Sequence, residues 1–137
     1  MTSDHPSHKM PQAGKLTAEQ MDLVIRHVPV EVSLADENDV LVYWHGPIFD
    51  DCDPGFIGRD MRACHDPAAC VAIERMVAQF RAGTRDRVRF WQVENGRQTV
   101  AQYTAVRDKS GTYCGVLETV QDITDLRALD GKGNDLD

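Results

Sequence analysis

The chain has 137 residues, a mass of 15.3 kDa and 42% hydrophobic residues, enough for one domain with a single core. Its net charge of −7 and pI near 5.1, with no dense Lys and Arg cluster, argue against a nucleic-acid surface. No apolar run approaches the roughly 20 residues of a membrane helix, and Met1 to Lys15 lacks the apolar core of a signal peptide, so the expectation is a cytoplasmic protein that does not engage a membrane.

Residues 1–15 are polar, carry Pro6 and Pro11 and show no hydrophobic period, which predicts a mobile tail. Thr17 and Gln20 then have the spacing of a capping box, and Leu16 and Met21 that of a hydrophobic staple. A helix is expected from about Ala18 to His27, with Met21, Val24, Ile25 and Val28 as its apolar stripe and Pro29 as its stop. Such a helix is a candidate lid for one face of a sheet. Val30 to Ala35 and Val40 to Trp44 are β-rich runs joined by the polar turn Asp36-Glu37-Asn38-Asp39.

The segment from His45 to His65 is broken by Gly46, Pro47, Pro54, Gly55 and Gly58, so short helical turns and loops are expected, anchored by Ile48, Phe49, Phe56, Ile57 and Met61. A longer helix follows. Asp66 is its cap, Pro67 its first residue and Gly83 its left-handed stop, with Cys70, Ile73, Met76, Val77 and Phe80 on the buried side.

From Arg87 to Thr124 three runs rich in β-branched and aromatic residues are separated by Asn95-Gly96 and Asp108-Lys109-Ser110-Gly111, the signals of two hairpins. The runs do not alternate cleanly: Val88 and Phe90 occupy one parity, Trp91, Val93, Ala101, Tyr103 and Leu117 the opposite ones. Both faces of the sheet are therefore expected to be covered, by another part of the chain or by a second copy. Leu126 to Leu129 offers one helical turn, and residues 127–137 form a polar C-terminal tail.

The order is helix, two strands, irregular helical segment, longer helix, three strands. With the Asp36–Asp39 hairpin, the Ile57-Gly58-Arg59 step, the helix ending at Gly83 and the terminal Gln121-Asp122-Ile123-Thr124, residues 16–126 resemble a PAS domain. Cys64-His65-Asp66-Pro67, Phe90-Trp91 and Tyr113-Cys114-Gly115-Val116-Leu117-Glu118 are similar to the PAS subfamily often associated with hemerythrin-like domains. His45 stands where that pattern more often has Asn. The resemblance implies an α+β fold: a five-stranded antiparallel sheet with helices on one face, an N-terminal helix, and a ligand-sized pocket.

Candidate site residues follow from that layout. His65, just before a pocket-lining helix, has a nitrogen to offer haem iron or another metal, with His45 as a second ligand. The plainer reading has His65 hydrogen-bonding near the helix start. Met61, Ile73, Val77, Phe80 and Leu117 would form an apolar surround, and Trp91 and Tyr103 would sense its occupant. Cys64 is the candidate reactive thiol, at a helix N-terminus that favours thiolate, whereas burial opposes it. The four cysteines, Cys52, Cys64, Cys70 and Cys114, lack a C-x-x-C pair and read as separate thiols instead of a cluster. Glu31 and Glu118 fall on neighbouring strands in the PAS topology, but strand-face charges paired with Arg87, Arg89 or Arg107 explain them more simply than acid–base catalysis.

The sequence thus leads to a non-enzymatic sensory domain that binds a small ligand or cofactor, pairs as a homodimer and signals to a separate effector protein. Two alternatives are a haem-based gas or redox sensor working through His65 and a pairing module with a filled interior. Trp91 is expected in the core.

Overall fold

The computed structural model describes residues 12–46 and 54–136. The expectations for residues 1–11 and for Ile48, Phe49 and Cys52 fall outside these. Helix α1 (Ala18–His27) begins with both bonds of the capping box between Thr17 and Gln20 in place, each 3.0 Å, and ends as Val28 turns extended before Pro29. Strands β1 (Glu31–Asp36) and β2 (Leu41–His45) follow, joined by a turn in which Asp36 Oδ1 accepts from the amides of Asn38 and Val40 at 2.9 and 3.0 Å.

After two 3-10 turns, Pro54–Phe56 and Met61–Cys64, helix α2 spans Pro67–Ala82. The Asp66 carboxylate accepts from Ala69 N at 2.8 Å, and Gly83 closes the helix at φ 75°. The long meander β3 (Arg87–Glu94), β4 (Arg97–Arg107) and β5 (Tyr113–Asp122) completes the chain, with a 3-10 turn at Leu126–Ala128. Asn95 at φ 52° and Gly96 at φ 76° make the two-residue turn that puts Glu94 opposite Arg97.

The five strands form one antiparallel sheet in the order β2-β1-β5-β4-β3, so the last strand in sequence lies at the centre. Ser33 pairs with Glu118, Glu118 with Tyr103, and Tyr103 with Val88. Those residues share one face with Ala35, Ala105 and Val116, because side chains alternate along each strand. Phe80, Val77, Met76 and Ile73 of α2 bury themselves against this face, Phe80 with no exposed surface at all. Arg107 then pins α2 to β4: its guanidinium donates to the buried Asp86 carboxylate and, at 2.7 Å, to the Phe80 carbonyl.

Among the described residues of one chain no helix covers all of the other face: α1 buries none of its own residues, and Met21, Leu23 and Val24 are each half exposed. Trp91 is not a core residue. It is 68% exposed, and Val93 64%, since β3 is an edge strand and both residues are out of phase with Val88 and Phe90, on the face away from α2. Gly115 meets a local demand where β5 runs beside β1. Its φ of 147° suits glycine alone, and a Cβ there would run into the Ala35 carbonyl.

Candidate functional site

Between the sheet and the segment joining β2 to α2 lies a cavity of about 480 Å³, within the ordinary range for small-molecule sites. Its sheet side is Glu31, Ser33 and Ala35 of β1, Thr99, Ala101 and Tyr103 of β4, and Val116, Glu118 and Val120 of β5. Opposite stand Met61, Cys64 and His65 from the second 3-10 turn and its end, with Ala69, Ala72 and Ile73 of α2. Trp44 and Phe56 lie on the wall near β2, and Phe90, Trp91 and Gln92 on the wall formed by β3.

The wall carrying Met61 and Cys64 is held by charges. Asp39, at the end of the β1–β2 turn, accepts from Arg62 at 3.2 Å and from Arg81 of α2 at 2.9 Å. Arg62 also donates to Asp60 and, at 2.9 Å, to Glu74 of α2. Backbone bonds from Leu41 N to Arg59 O and from Met61 N to Asp39 O add a short ladder along β2. One turn, one 3-10 segment and one helix are thereby locked around the cavity.

Inside it the polar groups converge on Glu118. Ser33 Oγ donates to Glu118 Oε1 at 3.1 Å, and the Tyr103 phenol stands near the same carboxylate. Burial, then the Glu118 charge, pushes the Tyr103 hydroxyl far above its ordinary value, so it stays protonated as a donor. Cys64 is solvent-accessible at the cavity's edge, yet burial of its sulfur and the Glu118 charge raise its thiol as well. Burial thus outweighs the helix end, and the expected thiolate character of Cys64 is not supported.

His65, Cys64, Met61, Ile73, Trp91 and Tyr103 line the cavity as a group, Trp91 at its rim. Val77 and Phe80 lie in the core beside it and not on its wall. Leu117 points to the opposite face, being one residue out of phase with Val116 and Glu118. His45 is not brought to His65: its Nε2 lies 3.2 Å from the Arg26 carbonyl, against the end of α1. Cys70 and Cys114 set their thiols against backbone carbonyls instead of one another. Among the described residues no three His, Cys, Asp or Glu side chains are grouped to hold a metal.

The glutamates were misjudged most. Glu31 and Glu118 both face the cavity, and Arg107, expected to neutralise a strand-face glutamate, is engaged with Asp86. The signal for Glu118 was its parity with Val116 and Val120, which put it on the inner face.

The PAS family model matches residues 21–124. The chain belongs to the PAS domain family. Among solved structures, this PAS domain is similar to the C-terminal domain of a Streptococcus mutans protein at 32% identity and TM-score 0.78, covering 88% of this chain and 96% of that one. It matches a PAS domain from Colwellia psychrerythraea at 14% identity and TM-score 0.58, over 78% of this chain and 97% of the other, a likeness of fold. Vibrio cholerae VqmA, described as a dimeric LuxR-type receptor that binds DNA, matches at 25% identity and TM-score 0.57 over 85% of this chain. The match spans about half of VqmA, 55% of its length. Comparison with curated proteins gives no match. No described helix of this PAS domain is long and apolar enough to cross a membrane.

Proposed function

We propose that this PAS domain is a sensory module that binds a small molecule in the cavity and relays occupancy along β5. The observation that carries this reading is the position of Glu118. It stands in the cavity on the central strand, and four residues further on the same strand ends at Asp122. Asp122 accepts from Thr124 N at 3.0 Å, from Thr124 Oγ1 at 2.6 Å and from Arg97 Nε at 2.8 Å. Ile123 N and Arg127 are bonded to Gln98 of β4. A ligand that displaces Ser33 or Tyr103 from Glu118 shifts the strand carrying this clasp, and the C-terminal segment with it.

A VqmA structure described as a complex with ligand and DNA supports a ligand-responsive role at 25% identity, over 53% of that chain. The proposal includes no enzymatic step, and its output passes to a separate effector. A second copy of the chain is the proposed cover for α1, whose capped helix leaves Met21, Leu23 and Val24 half exposed. Haem is the weaker occupant: its propionates are anions, while the cavity holds two glutamates and, among the described lining residues, neither Lys nor Arg. His45 also lies away from the cavity, so of the two histidines only His65 remains to offer an axial nitrogen.

The test is native mass spectrometry of the full chain after incubation with a metabolite extract. A small-molecule adduct that is lost in Ala101→Trp, a variant filling the cavity, is the expected result. An adduct kept unchanged by that variant, or none formed from any extract, contradicts the reading.

A further inference from the structure

The chemistry of the cavity wall also bears on what kind of molecule it takes. We propose that the cavity selects a small planar cation, an aromatic ring bearing an amidinium or ammonium group, over neutral and anionic molecules of the same shape. This rests on the cavity being a ligand site.

The first argument is charge. Glu118 stands at the centre of the sheet wall, while no Lys or Arg appears among the described lining residues. An anion entering would lose its hydration and meet like charge in a medium of reduced dielectric; a cation gains where the anion loses. The second is hydrogen bonding. A carboxylate offers about four acceptor positions, and Ser33 Oγ fills one of those on Glu118 at 3.1 Å. That donor orients the carboxylate and leaves acceptor capacity for the N–H groups of a guest, the pairing that charge assistance makes strongest.

The third is shape. Phe90 on one wall and Trp44 and Phe56 on another present aromatic surface to the same space. Aromatic faces attract cations and stack on flat rings, so the walls reinforce what the carboxylate selects. Cys64, its thiol held protonated, adds no competing charge.

Three probes of one shape separate charge from fit: benzamidine, benzamide and benzoate, titrated at neutral pH into the full chain and followed by calorimetry, with the fluorescence of the cavity-lining Trp44 as a second signal. Benzamidine should bind at least tenfold more tightly than benzoate, with benzamide between. In Glu118→Gln the ratio should fall to within about threefold, while Glu94→Gln, which removes an exposed charge at the end of β3, should leave it unchanged. That control distinguishes local selection from attraction to a chain of net charge −7. The wild-type ranking decides by itself if Glu118→Gln does not fold. Benzoate binding as tightly as benzamidine, or a ratio that survives Glu118→Gln, overturns the cation selection and leaves the ligand site standing. Failure of all three at millimolar concentration also overturns it, and the metabolite-extract experiment, which assumes nothing about charge, then judges the ligand site separately.

Discussion

Tyr103 stands directly across the β4–β5 ladder from Glu118, and both line the same cavity. The pair is the point where the sheet's register and the site's chemistry coincide. Burial and the neighbouring charge hold the folded phenol far above the value of 10.0 that it takes when free. A raised folded value means stability fully present below pH 10 and lost as pH rises beyond it, since the unfolded chain releases that proton first. Tyrosinate absorbance at 295 nm should therefore show Tyr103 ionising only together with unfolding. In Tyr103→Phe that alkaline loss of stability should disappear.

Phe80 and Trp91 should respond in opposite ways to truncation. Phe80 is fully enclosed by α2 and the sheet, so Phe80→Ala is expected to cost about 3 to 5 kcal/mol. Trp91, 68% exposed on the edge strand, should cost under about 1 kcal/mol as Ala. Denaturant midpoints of the two variants check the contrast.

Asp122 is held at about 2, below its ordinary 3.8, by hydrogen bonds first from the Thr124 hydroxyl and amide and then from Arg97. A lowered folded value places its contribution above pH 3.8, and that contribution fades as pH falls through about 2. The amide and side-chain resonances of Thr124 should titrate with that midpoint. Asp122→Asn should remove the titration and loosen the Leu126–Ala128 turn, read as faster amide exchange at Arg127.

Cys64 should be a sluggish nucleophile. Burial and Glu118 keep its thiol protonated at neutral pH, so its alkylation by iodoacetamide should lag that of a free cysteine and accelerate only at alkaline pH. Glu118→Gln should quicken it at pH 8. Mass spectrometry resolved by peptide separates Cys64 from the other thiols.

The half-exposed Met21, Leu23 and Val24 of α1 predict self-association. Light scattering should show a dimer at high micromolar concentration that is lost in Met21→Glu with Val24→Glu. A wild-type chain that remains monomeric there contradicts the prediction.

Local chemistry made the secondary structure legible in the sequence. The Thr17-to-Gln20 box, Asp66-Pro67, Gly83 and Asn95-Gly96 each act within a few residues, and each formed as the residue types require. The site was harder because inner and outer faces differ by one step along a strand. Leu117 and Glu118 are adjacent, and hydrophobicity alone favours the wrong one for the interior; parity with Val116 and Val120 and the pairing of Ser33, Glu118 and Tyr103 across three strands put the carboxylate inside. Trp91 differs for a related reason, since size and aromaticity suggest burial but its step out of phase with Phe90 and the edge position of β3 decide it, and strand order is a long-range property. His45 was placed by α1, whose last turn claims its ring.

Because β5 is the central strand, the β1–β2 hairpin has no third strand beside it until residues 113–122 exist. On a ribosome, the first hairpin and α2 would emerge and wait, their apolar faces uncovered, while the β3–β4 hairpin formed behind them. The contact that closes the sheet joins Ser33 to Glu118, 85 residues apart in sequence, a long loop to close and a slow step for a chain of this size. The residue that gives the cavity its charge thus also lies at the seam where folding finishes.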